Sequence, residues 1–398
     1  MARILINALA STAGGGITYL RNVLPRLARF DLENQYLVIV PAQLLNDYSH
    51  FASERLAIET IAGANRTATR MMMEQTGLKA LIRRREMQAL VSLGNFAMLA
   101  SPVPQILFNR NDLLFSARFE ADLRQRNLRR SLLAHKLKSW LARQSIKQAT
   151  VNVTPTAAFA DRIKSHSELQ HIEFETLQFG FDRDGFTSNQ NPLPESTIAK
   201  LNLNDDCRRV LFVSHYNYFR NFETLIRALP IIKSGLKQQT GENVQLVLTT
   251  DIRRGANYGG YDATAAAELI DRLGVRDDTA MLGAVEYDRL HHLYRLCDVF
   301  VCPSYSESFG HPLVEAMASG VPVVSADLPV HREICGEAAV YFDVFDENRL
   351  AAQCLRVLTE GDLRQRMKAD GLSRSRQFSW DEHVRQLIAL INRVVATA

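Results

Sequence analysis

Residues 303–324 read PSYSESFGHPLVEAMASGVPVV. Two short apolar runs bracket them, DVFVCPS at 298–304 and VPVVSA at 321–326, both rich in the β-branched residues that pack well on a pleated surface. Between the runs, Pro312 suits the first turn of a helix, where its missing N–H costs nothing, and Gly320 suits the helix end. The stretch reads as strand, loop, helix, strand. Strands with no polar alternation are buried on both faces, which points to a parallel sheet covered by crossover helices. Glu307 then falls in the loop and Glu315 within the first turns of the helix.

The same rhythm extends in both directions. In the second half RRVLFVS (208–214), VQLVLTT (244–250) and AMLG (280–283) read as further strands, with helices over 224–229, 264–273, 287–296 and 312–318. In the first half ARILINAL (2–9), YLVIVP (36–41), LVSLGN (90–95), PQILFN (104–109) and VNVTP (151–155) read as strands. A helix is predicted over 17–30, a long basic helical region runs to about 149, and Thr156 can cap the helix after it. FGFDRDGFTSNQNPLPEST (179–197) is the best candidate linker, and an apolar-periodic helix over 382–395 ends the chain. The expected fold class is α/β, with two doubly wound parallel domains at 1–185 and 186–380 and a C-terminal helix at 381–398 packing back toward the first. Such sheets bind ligands beyond the carboxyl ends of their strands, so a cleft between the domains is the expected site.

Composition agrees. The 398 residues suffice for two domains of about 150 residues each. A hydrophobic share of 46% and a charged share of 23% exclude disorder, collagen and a disulfide-stapled miniprotein. No run reaches the roughly 18 apolar residues of a membrane span. MARILINALAS reads as a first buried strand and not as a signal peptide. The 5 cysteines are odd in number and lack Cys-x-x-Cys spacing, so a reducing, cytoplasmic compartment is expected. Charge is uneven: residues 1–190 hold 24 Lys and Arg against 16 Asp and Glu, and the remainder 23 against 27. Within RRSLLAHKLKSWLARQSIKQA (129–149), Leu133, Leu137, Trp140 and Leu141 share one helical face. Two readings stand: a core-facing helix with a solvated basic back, or a basic amphipathic helix that lays residues 118–148 on an anionic membrane surface. No recognition motif accompanies the charge, so no nucleic-acid partner is expected.

Gly14-Gly15-Gly16 follows the first strand and precedes a helix, where bare backbone amides can approach an anion. The dinucleotide fingerprint fails, because its last glycine position is Tyr19, and no Walker A sequence occurs. A plain strand-to-helix turn is the other reading. For Glu307 and Glu315 the bland reading is a capping glutamate and an unrelated surface one. The functional reading is that carboxylates accept paired sugar hydroxyls while the amides of 309–313 point at an anionic group. His291 and His292 are adjacent on a helix, do not face one ligand, and are expected at the surface.

The longer string PSYSESFGHPLVEAMASGVPVVSADLPVHREICGEAAVYFD (303–343) closely resembles the donor-binding signature of the family 4 retaining glycosyltransferases. LGAVEYDRLHHLYRLCDVFVCPS (282–304) and VSHYNYFRNFETLIRAL (213–229) are similar to that family as well. The resemblance implies the GT-B fold, two Rossmann-like domains facing across a cleft. It implies that Glu315 accepts hydrogen bonds from the donor's ribose, that Glu307 sits near the transferred sugar, and that the amides of Phe309 and Gly310 approach sugar and phosphate, with Leu313 in the same site. Arg220, beside Asn221, would neutralise the diphosphate with help from Gly15 and Gly16; Glu307 and Arg220 are the catalytic candidates. His215 stands where the family has a second diphosphate arginine, and the first-domain histidine of many relatives is absent from LFNRND (107–112). Asn109 and Arg110 are the acceptor-side candidates there, with Arg110 either holding an acceptor phosphate or pairing with Asp112. Acceptor loops would be 64–88 and 108–127. Asp182-Arg183-Asp184 matches the Asp-x-Asp of metal-dependent glycosyltransferases but lies in the linker, so no metal is expected.

The implied activity is a retaining, metal-independent glycosyltransferase without a cofactor. It would move a sugar from a nucleoside diphosphate donor to a glycan or lipid-linked acceptor, as in cell-surface polysaccharide or lipopolysaccharide assembly. The expected place is the cytoplasm, with peripheral contact at the inner membrane face. The alternatives are a nucleotide-sugar-binding protein of the same fold without turnover, and a nucleotide-sugar epimerase or phosphorylase.

Overall fold

The computed structural model describes residues 1–12, 14–63 and 67–397. It divides into two compact units: Met1–Gly180 with Ser379–Ala398, and Phe181–Phe378. The sequence reading sets the corresponding boundaries at 185/186 and 380/381.

The first unit holds a seven-stranded sheet of β1 (Arg3–Asn7), β2 (Gln35–Ile39), β3 (Leu56–Glu59), β4 (Ala89–Ser92), β5 (Gln105–Phe108), β6 (Val151–Thr154) and β7 (Phe174–Thr176). All pairs are parallel and the order is β3-β2-β1-β4-β5-β6-β7. The central strands are buried along their length, as continuous apolar runs require. The helix Gly77–Arg84 turns Leu78, Leu81 and Ile82 onto Leu5, Leu37 and Leu90 of the sheet. The edge strands β3 and β7 escape sequence reading because they are three or four residues long and half exposed, too short to show a period.

The last helix, Trp380–Ala396, belongs to this unit and buries Trp380, Val384, Leu387, Ile391 and Val394. Its entry is tight. A Cβ on Gly180 would lie 2.1 Å from the Trp380 nitrogen, so only glycine fits there. The expected linker is therefore not loose chain. Its first residues pack in the core, and further along Phe181, Phe186 and Leu193 are buried in the second unit around a short helix, Arg183–Thr187.

The second unit holds β8 (Cys207–Phe212), β9 (Asn243–Leu248), β12 (Thr279–Met281), β13 (Val299–Cys302), β14 (Val323–Ala326) and β15 (Ala339–Phe342), with a small antiparallel hairpin of β10 (Asn257–Tyr258) and β11 (Tyr261–Asp262) between β9 and β12. The six-stranded sheet is parallel, in the order β12-β9-β8-β13-β14-β15.

The basic helical region splits into Ala117–Gln125 and Arg129–Gln148. The core-facing reading of its apolar stripe is overturned. The buried face is His135, Ser139, Ala142, Ser145 and Ile146, whereas Leu133 is 72%, Leu137 58% and Trp140 50% exposed. Small and polar residues win the inner face because the seam is close: Ser139 donates to the Leu114 carbonyl, and His135 packs edge-on against Phe119 at 5.0 Å. Among the described residues no helix is long and apolar enough to cross a membrane.

Candidate functional site

In the second sheet β8 and β13 are neighbours, paired Val210 to Val299 and Leu211 to Phe300. The chain leaves β8 toward β9 on one side and β13 toward β14 on the other. Loops departing from such a switch point diverge and leave room for a ligand. They are residues 213–221 and 303–310, and they carry most of the candidate residues.

Asn221 ties the two loops together. Its backbone is left-handed (φ 55°, ψ 45°), a conformation asparagine tolerates better than most side chains. Buried, it donates from Nδ2 to the Pro303 carbonyl at 3.1 Å and accepts at Oδ1 from the Thr224 hydroxyl at 2.8 Å. A second stitch runs from the Tyr305 amide to the Phe219 carbonyl at 2.9 Å. Arg220 is thereby aimed across the gap. Its Nη1 forms an ion pair with Glu307 Oε2 and reaches the buried Ser304 hydroxyl at 3.4 Å. The guanidinium lies over the Phe219 ring at 5.0 Å, and its Nε has no partner among the described residues. A charged fork with its Nε–H unspent, fixed by a carboxylate, is suited to oxyanions.

The helix His311–Ala318 starts from Gly310, whose φ of +89° favours glycine. It ends in paired bonds from Gly320 to the Met317 carbonyl and from Val321 to the Ala316 carbonyl, the Schellman arrangement that Gly320 makes possible. Glu315 is 5% exposed and accepts from the Tyr294 hydroxyl at 3.0 Å. Burial pushes its carboxyl up to about 7, against the pull of that hydrogen bond. Burial also pushes the neighbouring Cys302 thiol up to about 11, with Glu307 adding to the effect.

Not every expectation for this loop holds. Leu313 does not offer a free amide: its N–H donates to the Gly310 carbonyl at 3.0 Å and its side chain is buried. The Phe309 ring is core, edge-on to Phe378 at 5.6 Å. His291 is not a surface residue, being buried against the Ser319 hydroxyl at 3.2 Å, whereas His292 is half-buried and its Nε2 meets the Asn189 carbonyl at 2.9 Å. His215 is exposed in the loop after β8, and its carbonyl accepts from Ser214 Oγ at 2.9 Å. Asp182 caps a helix by accepting from the Gly185 amide at 3.1 Å. Among the described residues no three His, Cys, Asp or Glu gather as a metal site.

Gly15, Gly16, Asn109 and Arg110 belong to the first unit. Gly16 is fixed by space, because a Cβ there would lie 2.8 Å from Ser11 Cα. Arg110 donates to the Gly15 carbonyl at 2.7 Å and stacks on Tyr19 at 4.7 Å and Phe179 at 5.3 Å. Asp112 pairs with Arg162 at 3.2 Å. Asn109 is buried at the end of β5, with Nδ2 donating to Asn152 Oδ1 at 3.3 Å and Oδ1 without a partner among the described residues. The sequence reading misses His383 altogether. Its Nδ1 donates to the Gln178 carbonyl at 2.9 Å, and its Nε2 meets the Tyr19 hydroxyl at 3.0 Å. Burial pushes the ring down to about 4, so it is neutral and accepts from Tyr19. Of the acceptor loop 64–88, residues 64–66 lie outside the described residues; the rest forms the helices Thr67–Gln75 and Gly77–Arg84.

Comparison with known proteins bears on this geometry. Residues 195–374 match the family described as glycosyl transferases group 1. The O-antigen chain mannosyltransferase B of Escherichia coli is 30% identical over 179 residues, 45% of this chain and 44% of that protein. The chain spans about half the length of the curated relatives it matches. Among solved structures, a sucrose-phosphate synthase from Thermosynechococcus elongatus superposes with a TM-score of 0.75 at 16% identity, covering 100% of both chains. HepE from Anabaena, solved in complex with UDP-glucose, gives a TM-score of 0.67 at 16% identity over 99% of this chain and 100% of that one. At such identities the likeness is one of fold. The match to the group 1 glycosyl transferases thus lies within the second unit, and the two parallel sheets share the GT-B fold of these solved structures.

Proposed function

We propose that the protein transfers a sugar from a nucleoside diphosphate donor to an acceptor hydroxyl, with retention at the anomeric carbon and without a metal or cofactor. The observation that carries this reading is the Arg220–Glu307–Ser304 group at the switch point of the second sheet, with buried Glu315 on the adjoining helix. In the resting protein Glu307 holds the guanidinium in place. An arriving diphosphate competes for it, and the released Glu307 carboxylate turns to the sugar's hydroxyls. Glu315 takes the ribose diol. Asn221 keeps Arg220 in register, and the amides of Phe309 and Gly310 line the phosphate side, with His215 at the rim.

In the transfer step the bond between the anomeric carbon and the diphosphate oxygen breaks, and negative charge grows on the leaving group. Arg220 and the amino end of His311–Ala318 would stabilise that charge. The acceptor oxygen attacks from the face the diphosphate leaves, and its proton passes to the departing phosphate oxygen. The products are a glycoside of unchanged configuration and a nucleoside diphosphate. Asn109 and Arg110 are the acceptor-side residues. Support for a glycan or lipid-linked acceptor comes from the basic first half and from the O-antigen enzyme among the relatives, and support for a nucleotide sugar from the UDP-glucose complex of HepE. Such an acceptor would place the protein at the cytoplasmic face of a membrane.

The test is incubation of the full chain with UDP-, GDP-, ADP- and dTDP-sugars in EDTA, with NMR of the anomeric proton of the product. Release of nucleoside diphosphate from one donor, with retained configuration, is expected. Inverted product, or activity abolished by EDTA, contradicts the reading.

A further inference from the structure

The helix Arg129–Gln148 is amphipathic in the reverse sense. Its inward face is His135, Ser139, Ala142, Ser145 and Ile146, mostly small or polar. Diametrically opposite, Leu133, Leu137 and Trp140 follow one another at i, i+4 and i+7, and all three are exposed. Solvent exposure of one leucine needs no explanation, but a stripe of three large apolar side chains does. Its flanks are equally one-sided. The 20 residues of the helix contain six Lys and Arg and no Asp or Glu. Arg143 is used within the fold, donating to Glu168 at 2.8 Å and to Ser139 Oγ at 2.6 Å. Arg129, Arg130, Lys136 and Lys147 are exposed, form no ion pair among the described residues, and lie within one or two helical turns of the stripe on its own face. Arg129 and Arg130 also occupy the first turn, where the helix dipole disfavours cations and where there is no acid to offset them.

We propose that this face docks on an anionic lipid bilayer, with Leu133, Leu137 and Trp140 entering the boundary between headgroups and acyl chains and Arg129, Arg130, Lys136 and Lys147 meeting lipid phosphates. An indole beside leucines, ringed by cations, matches the composition that partitions into such an interface. A second copy of the chain fits poorly, because a two-fold contact would set the same cations against each other. The inference stands apart from the transfer chemistry and holds even if no sugar is moved.

The experiment uses the full chain with phosphatidylcholine vesicles and with vesicles containing phosphatidylglycerol. The protein has 2 tryptophans, and Trp380 is buried, so a change in emission on binding reports Trp140. Co-sedimentation with the anionic vesicles alone, a blue shift of emission, and weakening by added salt are expected. The triple variant Leu133→Ala, Leu137→Ala, Trp140→Ala and the pair Arg129→Glu, Lys136→Glu should each partition about tenfold less. These side chains are exposed, so an unchanged melting temperature separates loss of docking from loss of fold. The pair Arg366→Glu, Lys368→Glu, on an exposed face of the second unit, should bind as the natural chain does. Absence of vesicle binding, or binding that the triple variant retains, overturns the proposal. So does a dimer in solution that the triple variant dissolves without any vesicle binding, which would give the stripe to a second copy.

Discussion

Glu315 keeps its carboxyl where water is scarce, and this has a stability consequence of definite sign. Its proton is held up to about 7 in the fold against an ordinary value of 4.5, so the folded chain binds that proton more tightly than the unfolded one. Stability from this group is fully present below about 4.5 and is lost as pH rises through about 7. The melting temperature of the ligand-free protein should fall across that window, and Glu315→Gln should flatten the fall; a parallel slope in the variant would contradict it. Nucleoside diphosphate affinity should run the other way, improving as the carboxylate forms. At Arg220, truncation to Ala removes the guanidinium and leaves Glu307 without its counter-ion. Turnover should drop about 10²–10³-fold, with partial recovery in Arg220→Lys; an unchanged rate would remove Arg220 from the chemistry. The sequence offers both residues as candidates but not their partnership. They are 87 positions apart, and only the pairing of β8 with β13 brings their loops together. Tyr294, the donor to Glu315, lies 21 positions away on the preceding helix, a pairing no local pattern shows.

Elements differ in how far their residues declare them. The central strands are legible because burial on both faces leaves continuous Val, Ile and Leu runs. Edge strands such as β7 are not, since three half-exposed residues carry no pattern. The helix Arg129–Gln148 is legible as a helix, yet its inward face is settled more by close packing of small and polar residues than by hydrophobicity, with Ile146 its one large aliphatic. Glycines show the same limit. Gly15 and Gly16 look alike in sequence, but a Cβ at Gly16 would lie 2.8 Å from Ser11 Cα whereas one at Gly15 meets only Arg110 Nη2 at 3.9 Å. Gly16→Ala should therefore lower unfolding free energy in urea by about 1–3 kcal/mol. Gly15→Ala, at the start of a helix, should stay within about 0.5 kcal/mol of the natural chain. Equal losses in the two variants would contradict the close approach.

At the scale of the molecule, the chain leaves the first unit at Gly180 and returns to it at Ser379. Periodicity alone marks the last helix, but nothing local says which sheet it covers; that is fixed by Trp380 and His383 meeting Phe179 and Tyr19. Trp380 is 3% exposed, and Trp380→Ala should cost about 3–5 kcal/mol, read as an earlier transition in calorimetry. An unaltered thermogram would show that the first unit does not need the returning helix. For the second unit, the proposal is that Arg220 and Glu315 together hold a nucleoside diphosphate. Its most direct test is calorimetric titration of the full chain, in EDTA, with UDP, GDP, ADP and dTDP, repeated on Arg220→Ala and Glu315→Ala. Saturable binding of at least one nucleotide, weakened about tenfold or more by each substitution, is the expected result. Binding of none, or binding that both substitutions leave intact, would contradict it.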